Sequence, residues 1–367
     1  KKHYGIAASE IEIQNIIVYM FDRFVLQEEY AQVTWQDIGN NLTGPWYWDE
    51  NEFKTNQIGH PYQGMFYYAA ARSANLNFWE SAAYTAFLGS LPWEYLAENE
   101  QPAYNDFITT TMGGTSLGEM FHRLFEDSWE SNFRWLSYII SPMEGFNRSV
   151  FKWDYRKPSS RTEKLNYFLF AGAFDTDFIF GTGFDAIYGK PFGHNTKEPF
   201  DSFEFSARAA FSQENYYFYF FSDGYLWSYA PLWGINAATT IGISLHYDFI
   251  YSKKSNHSDN SIGLTLKRRS YLPHNYIFDM KMHLNWLVLG TVEDDRYING
   301  EIEKKDTYIE QRDYNFCMGE NIKLSLTLSQ DKFGVFALWG MFSGMHHIED
   351  AVMEKGTGGF TAVINWG

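Results

Sequence analysis

A single cysteine, Cys317, leaves the chain no intrachain disulfide. No apolar run approaches the roughly 18 residues that a membrane helix needs. The longest, Ile16 to Phe21, stops at Asp22 and Arg23, which excludes a spanning helix. Basic residues are few: 29 Lys and Arg against 45 Asp and Glu give a formal charge of −16. Nucleic acid is excluded as a partner, since it requires a basic stripe that displaces counterions. The stretch "MGGTSLGE" lacks the lysine of a phosphate-binding loop, and none of Ser73, Ser81 or Ser90 sits in a G-x-S-x-G elbow. There is no internal repeat. The opening Lys1-Lys2-His3 has no apolar stretch behind it, which reads as the start of a mature or trimmed chain.

Aromatic residues, by contrast, are abundant at 20% of 367 residues, with 33 Phe, 26 Tyr and 13 Trp, while mean hydropathy stays at −0.37. Tyr and Trp suit a lipid–water boundary, where a ring is buried and its tip hydrated. Rich aromatics, low hydropathy and no spanning helix together fit a transmembrane β-barrel, in which only alternate residues face lipid.

From about residue 150 the pattern has period two. Phe278, Met280, Met282, Leu284, Trp286 and Val288 alternate with polar neighbours, as do Ile241, Ile243 and Leu245, and Ile322, Leu324 and Leu326. A soluble barrel shows the same alternation with the polar face outward, so period alone leaves the sense open. We count about twelve strands, from Val150–Arg156 to Gly359–Trp366, with a turn at Asp223-Gly224. Connections alternate long and short apart from that turn, as in outer-membrane barrels. The charged segment 290–313 is expected on the outer side, opposite both chain ends. Arg208, His246, Asp248, Lys267, Asp279, Lys281, His283 and Lys323 are expected to face the lumen. The aromatic Trp366 is penultimate, where such barrels commonly end on an aromatic.

The first 145 residues carry helical spacing instead, with helices expected over Tyr62–Ala74, Phe78–Ala97, Leu117–Glu126 and Asn132–Ile140. Gly44-Pro45, Pro61, Pro92, Pro102 and Gly113-Gly114 are expected to separate them. Among apolar neighbours stand Asn56, His60, Arg72, Ser73, Glu94, Glu98, Asn105, Asp106, Glu119, His122 and Arg123. Glu94 and Glu98, and Glu119 and His122, share helix faces. A lone E-x-x-H falls short of the paired motifs of carboxylate-bridged metal bundles, so no metal and no cofactor is assigned. Asn105 or Asp106 can cap a helix, and Glu119 can pair with His122. We expect His60, Arg72, Glu94, Glu119, His122 and Arg123 to form one buried polar network. The chemical alternative is a lipid-modifying hydrolase with His60, Glu119 and His122 as its catalytic groups.

The runs "TNQIGHPYQGMFYYAAARS", "FWESAAYTAFLGSLPWEYLAENEQPAYND", "GGTSLGEMFHR" and "SPMEGFNR" resemble an uncharacterised bacterial envelope family over roughly residues 10–150. Its signature is N-Q-x-G-H-P-Y-x-G, then W-E, P-x-x-N-D and G-E-x-x-H-R. The resemblance implies an exported outer-envelope protein and brings no assigned activity. Ala103 stands where a small hydroxyl residue is expected before the Asn-Asp pair.

The expected fold is therefore α+β: a helical plug or periplasmic domain over 1–145, then an antiparallel outer-membrane β-barrel over 146–367. The expected role is non-enzymatic, in the outer membrane of a Gram-negative envelope. The partners are its lipids and possibly other envelope proteins. The hydrolase and a gated small-solute channel are the alternatives.

Overall fold

The computed structural model describes residues 1–153, except 50 and 52, and beyond them ten strands with the short turn Pro273–Asn275. The chain divides into two units, Lys1–Pro158 and Ser159–Gly367. The boundary falls later than 145/146 because a helix, Pro142–Phe151, runs across that point and packs within the first unit.

The first unit holds α1 (Tyr4–Phe21), α2 (Trp35–Thr43), α3 (His60–Ser73), α4 (Phe78–Tyr84), α5 (Leu91–Leu96), α6 (Tyr104–Ile108), α7 (Gly114–Glu130), α8 (Arg134–Ile140) and α9 (Pro142–Phe151). Two starts carry reciprocal capping boxes, Thr34 with Asp37 and Asn77 with Glu80, which satisfy end amides that the helix cannot. Four π-helical turns, Asp22–Leu26, Thr55–Gly59, Thr85–Ser90 and Thr109–Gly113, each adjoin an α-helix without a break.

Three expected breakers therefore do not break, the first being Pro61, where the π turn Thr55–Gly59 runs straight into α3. Pro92 directly follows the π turn Thr85–Ser90, and Phe78 to Leu96 is one continuous rod. Gly113-Gly114 is likewise continuous with α6 and α7, because its task is packing. A Cβ on Gly114 would stand 2.5 Å from the Gly64 Cα, so α3 and α7 meet backbone to backbone. Beside that crossing Ala7, Ile11, Tyr67, Ala70, Ala71 and Leu76 form an apolar core.

The second unit is an antiparallel sheet of β1 (Thr162–Phe174), β2 (Asp177–Gly189), β3 (Ser202–Phe211), β4 (Tyr216–Tyr229), β5 (Ala237–Ser252), β6 (Asn256–Leu272), β7 (Tyr276–Glu293), β8 (Tyr314–Gln330), β9 (Phe333–His347) and β10 (Gly358–Trp366). Each strand pairs with its sequence neighbours, and β1 pairs with β10 from Tyr167↔Trp366 to Ala173↔Phe360, closing a barrel. Among the described residues ten strands stand where about twelve were expected, and two sites account for the difference. Val150 and Phe151 end helix α9 rather than open a strand. Asp223-Gly224 lies inside β4, where both residues stay paired with β3 and β5.

The expected long connections 190–201, 294–313 and 348–357 lie outside the described residues. The segment expected over 252–260 shrinks to 253–255, because β6 starts at Asn256.

Alternate positions have opposite fates. Ile241, Leu264, Leu284, Trp286 and Leu324 are 39–59% exposed, whereas Ser244, His246, Thr265, His283, Asn285 and Lys323 are at most 5% exposed. The buried face is the polar one.

Candidate functional site

Three polar groups stand out, two in the helical unit and one in the barrel. The first gathers where the π turns Thr55–Gly59 and Thr109–Gly113 lead into α3 and α7. His60 begins α3, and its Nδ1 lies 3.2 Å from the Thr110 hydroxyl while Nε2 lies 3.5 Å from Asp106 Oδ1. Asn105 donates to Asp106 (2.6 Å) and accepts from the Asp49 amide (2.7 Å), and Asn56 donates to Asp49 Oδ2 (2.9 Å). Glu94 accepts the Ala103 amide at 2.9 Å, and Glu98 accepts the Trp93 indole N–H at 2.7 Å.

This group is rich in acids. Burial first, then the charges of Asp49 and Glu94, hold the Asp106 carboxyl well above the usual range. Burial and neighbouring Glu98 do the same to Glu94. Burial pushes Glu98 up to about 8, against the Trp93 hydrogen bond. Burial lowers His60 to about 4, against the pull of Asp49. Burial thus works against charge throughout this group, raising the carboxyls and lowering the imidazole. Hydroxyl, imidazole and carboxyl stand in the order of an acyl-transfer site. Here, however, Thr110 and His60 are only 2% and 7% exposed, and burial raises the Asp106 carboxyl, against the charged form such a site uses.

The second group joins α3, α7 and α9. Glu119 accepts from Arg72 Nε (3.0 Å) and Nη2 (3.1 Å), from Arg123 (2.9 Å) and from the Tyr68 hydroxyl (2.6 Å). Burial alone would raise this carboxyl; the charges of Arg72 and Arg123 outweigh it and hold it at about 2. His122 Nδ1 meets Glu144 at 2.7 Å, and Ser141 donates to the other Glu144 oxygen at 3.1 Å. Glu126 pairs with Arg148. Ser73 donates to the Ala70 carbonyl and accepts from Asn147, leaving its hydroxyl engaged.

The expected single network is therefore two. His60 and Glu94 belong with Asp106 and Asp49; Arg72, Glu119, His122 and Arg123 belong with Tyr68 and Glu144. Glu119 and His122 share a face but take different partners, because two arginines outbid an imidazole for one carboxylate. Asn105 and Asp106 lie within α6 rather than capping it, whose N-cap is Ala103. The three candidate catalytic groups, His60, Glu119 and His122, do not converge. Glu119 is saturated by donors and offers no basic lone pair.

His122, Glu126 and Glu144 each present a ligand atom within 4.8 Å of the others, the geometry that could take a metal ion. Arg148 on Glu126 and His122 on Glu144 already satisfy both carboxylates.

The third group fills the barrel. Lys323 on β8 reaches past β7 and β6 to Asp248 on β5 at 2.5 Å, and lies 3.3 Å from His246 Nδ1. His246 meets Ser244 (2.7 Å), Thr265 meets His283 (2.8 Å), and Asn321 donates to Asp259 (2.9 Å). Lys267 is buried beside Lys281 of the paired strand, which is half-buried. Asp279 binds Arg269 through both oxygens, at 2.8 and 2.7 Å. Arg208 sits on β3, and its side chain is outside the described residues. Toward the 294–313 end Leu287, Leu289, Tyr314 and Phe316 are buried too.

Sequence reasoning missed Asp49, Tyr68, Thr110, Glu126, Glu144 and Arg148. Glu126 and Arg148 were findable as charged residues on the buried stripes of α7 and α9. Asp49 was not, since it lies between helices where no period marks it.

Residues 45–146 match a family model described as a domain of unknown function, DUF3943. No curated protein matches the chain. Among solved structures, a KdgM porin is similar over 56% of this chain and 99% of its own, at 8% identity and a TM-score of 0.21. A KdgM porin in complex with disordered oligogalacturonate gives 9% identity, the same coverage and a TM-score of 0.21.

Proposed function

We propose that the chain is an integral outer-membrane β-barrel protein with a non-enzymatic envelope role, its barrel anchoring the helical unit rather than conducting. The reading is carried by one observation: the closed barrel buries lysine, histidine, aspartate and asparagine and exposes leucine, isoleucine and tryptophan. In water that arrangement costs twice, once for dry polar groups and once for wet apolar ones. In a bilayer it is the favourable sense, and closure satisfies every strand edge.

Ten strands stand near the filled end of the barrel range, far from the 16–18 strands that leave an aqueous channel. The Lys323–Asp248 bridge crosses the lumen, and the apolar cluster at Leu287 adds to the filling. A gated channel is for this reason not our reading. Nor is a hydrolase, whose three groups point to separate partners.

Two measurements test the proposal on the full chain. Folded protein should stay in urea-washed outer membranes and shift its gel mobility on heating. In planar bilayers it should pass no steady current. Extraction by urea would overturn the membrane reading, and stepwise conductance would overturn the closed lumen.

A further inference from the structure

The helical unit repeats the inversion of the barrel on a smaller scale. Between Ile13 and Leu26, along the second half of α1 and the π turn that extends it, every exposed residue is apolar. Ile16, Ile17, Phe24 and Val25 are 58–64% exposed. The polar members of the same stretch turn the other way. Asn15 is buried and donates to the Gly89 carbonyl, and Asp22 is buried and accepts from Tyr30. Arg23 folds back to the carbonyls of Ala31 and Val33 and lies over the rings of Tyr19 and Phe24. Helix α8 shows the same inversion beyond its first residue, the exposed Arg134: it buries Ser137 and exposes Trp135 (60%), Tyr138 (43%) and Ile139 (68%).

We infer that the outer faces of α1 and α8 contact the acyl chains of the membrane, so that the helical unit is a lipid-facing body lying along the bilayer surface. Three features single out lipid as the occupant. A contiguous exposed apolar face of this length exceeds what water-facing surfaces carry without a partner. A protein partner would use roughly one hydrogen bond per 100–200 Å² of contact. The stretch Ile13–Leu26 exposes no polar side chain to make one, which hydrocarbon does not require. Finally, the apolar face runs lengthwise along α1 and its π extension, the arrangement of a helix that lies in the interface plane.

The inference extends the membrane reading to the unit that the barrel argument leaves aside, and the test separates the two. Nitroxide labels are placed on the full chain at Ile17→Cys, Val25→Cys and Ile139→Cys. Leu324→Cys serves as a barrel reference and Gln36→Cys as a polar reference. The native Cys317 is buried, and a mock-labelled parent chain corrects for it. Protein is reconstituted in phosphatidylethanolamine–phosphatidylglycerol vesicles, and collision with oxygen is compared with collision with a water-soluble nickel chelate. Labels at 17, 25 and 139 are expected to favour oxygen severalfold, and the label at 36 to favour nickel. Nickel-accessible labels at 17, 25 and 139 would overturn the inference, as would labels shielded from both reagents, the signature of a covering protein surface. A water-exposed label at 324 with lipid-exposed labels at 17 and 25 would sink the barrel reading and leave this one standing. Should one cysteine variant fail to fold, the neighbouring sites Ile16→Cys and Phe24→Cys report the same face.

Discussion

Replacing Glu119 by glutamine removes one negative charge and almost no volume, yet it should cost the helical unit about 3 kcal/mol. The magnitude follows in two ways. The carboxyl is held near pH 2, some 2.5 units below its ordinary 4.5, and each unit is worth about 1.4 kcal/mol between charged and neutral forms. Independently, breaking a buried ion pair by removing one partner costs roughly 3–5 kcal/mol, because the survivors stay desolvated. Here the survivors are two, Arg72 and Arg123, at 14% and 5% exposure of their side chains. The assay is denaturant unfolding of the detergent-solubilised chain, followed by the helical circular dichroism signal. The charge term has a sign that acid can check. Glu119 is depressed, so its stabilisation is fully present above pH 4.5 and fades as pH falls toward 2. Glu119→Gln should lose that acid dependence together with the stability. A loss under 1 kcal/mol, or an unchanged acid limb, would refute the account of Arg72 and Arg123 as clamped on a charge.

The opposite sign holds for Glu98 of the acid-rich group, raised to about 8, and for Glu10 on α1, raised to about 7 by burial against its bond from Asn147: both stabilise the fold while protonated. Above about pH 7.5, where the lowered His60 is neutral in both states, melting temperature should fall toward pH 8.5, and Glu98→Gln should flatten that slope. A rise over the same window would contradict the burial of these acids. Gly64→Ala should destabilise by about 1–3 kcal/mol or prevent folding, since the new methyl meets the Thr110 carbonyl oxygen and then the Gly114 Cα; thermal melts decide it. In a double-mutant cycle, His122→Asn and Glu144→Gln should couple by about 0.5–3 kcal/mol, whereas His122→Asn and His60→Gln should add.

Much of the barrel was legible because one physical cause, alternate exposure, acts at every residue of a strand. Ile241, Ile322 and Leu324 gave it away. The strand number was less so, since Asp223-Gly224 has turn composition but is held in β4 by partners on both sides, which no local signal records. In the helical unit the important residue types were visible and their pairing was not. Glu119 and His122 are neighbours by helix geometry, but Arg72 and Glu144 arrive from α3 and α9, and long-range charge decides the outcome. Asp49 shows the limit of periodicity, which is silent outside regular elements.

Each π turn of the helical unit amounts to one residue more than an α-helix would need. Deleting a residue within Thr109–Gly113 would regularise the backbone and, on helical propensity alone, improve it. Yet one residue is about 100° of rotation, and everything beyond the deletion would turn by that angle relative to everything before it. Thr110 could then face His60 only if Gly114 turned away from Gly64. The surplus residue works as a phase adjuster between two contacts that no uniform helix can make at once. A chain of this kind should accept substitutions in that turn far more readily than any change in its length.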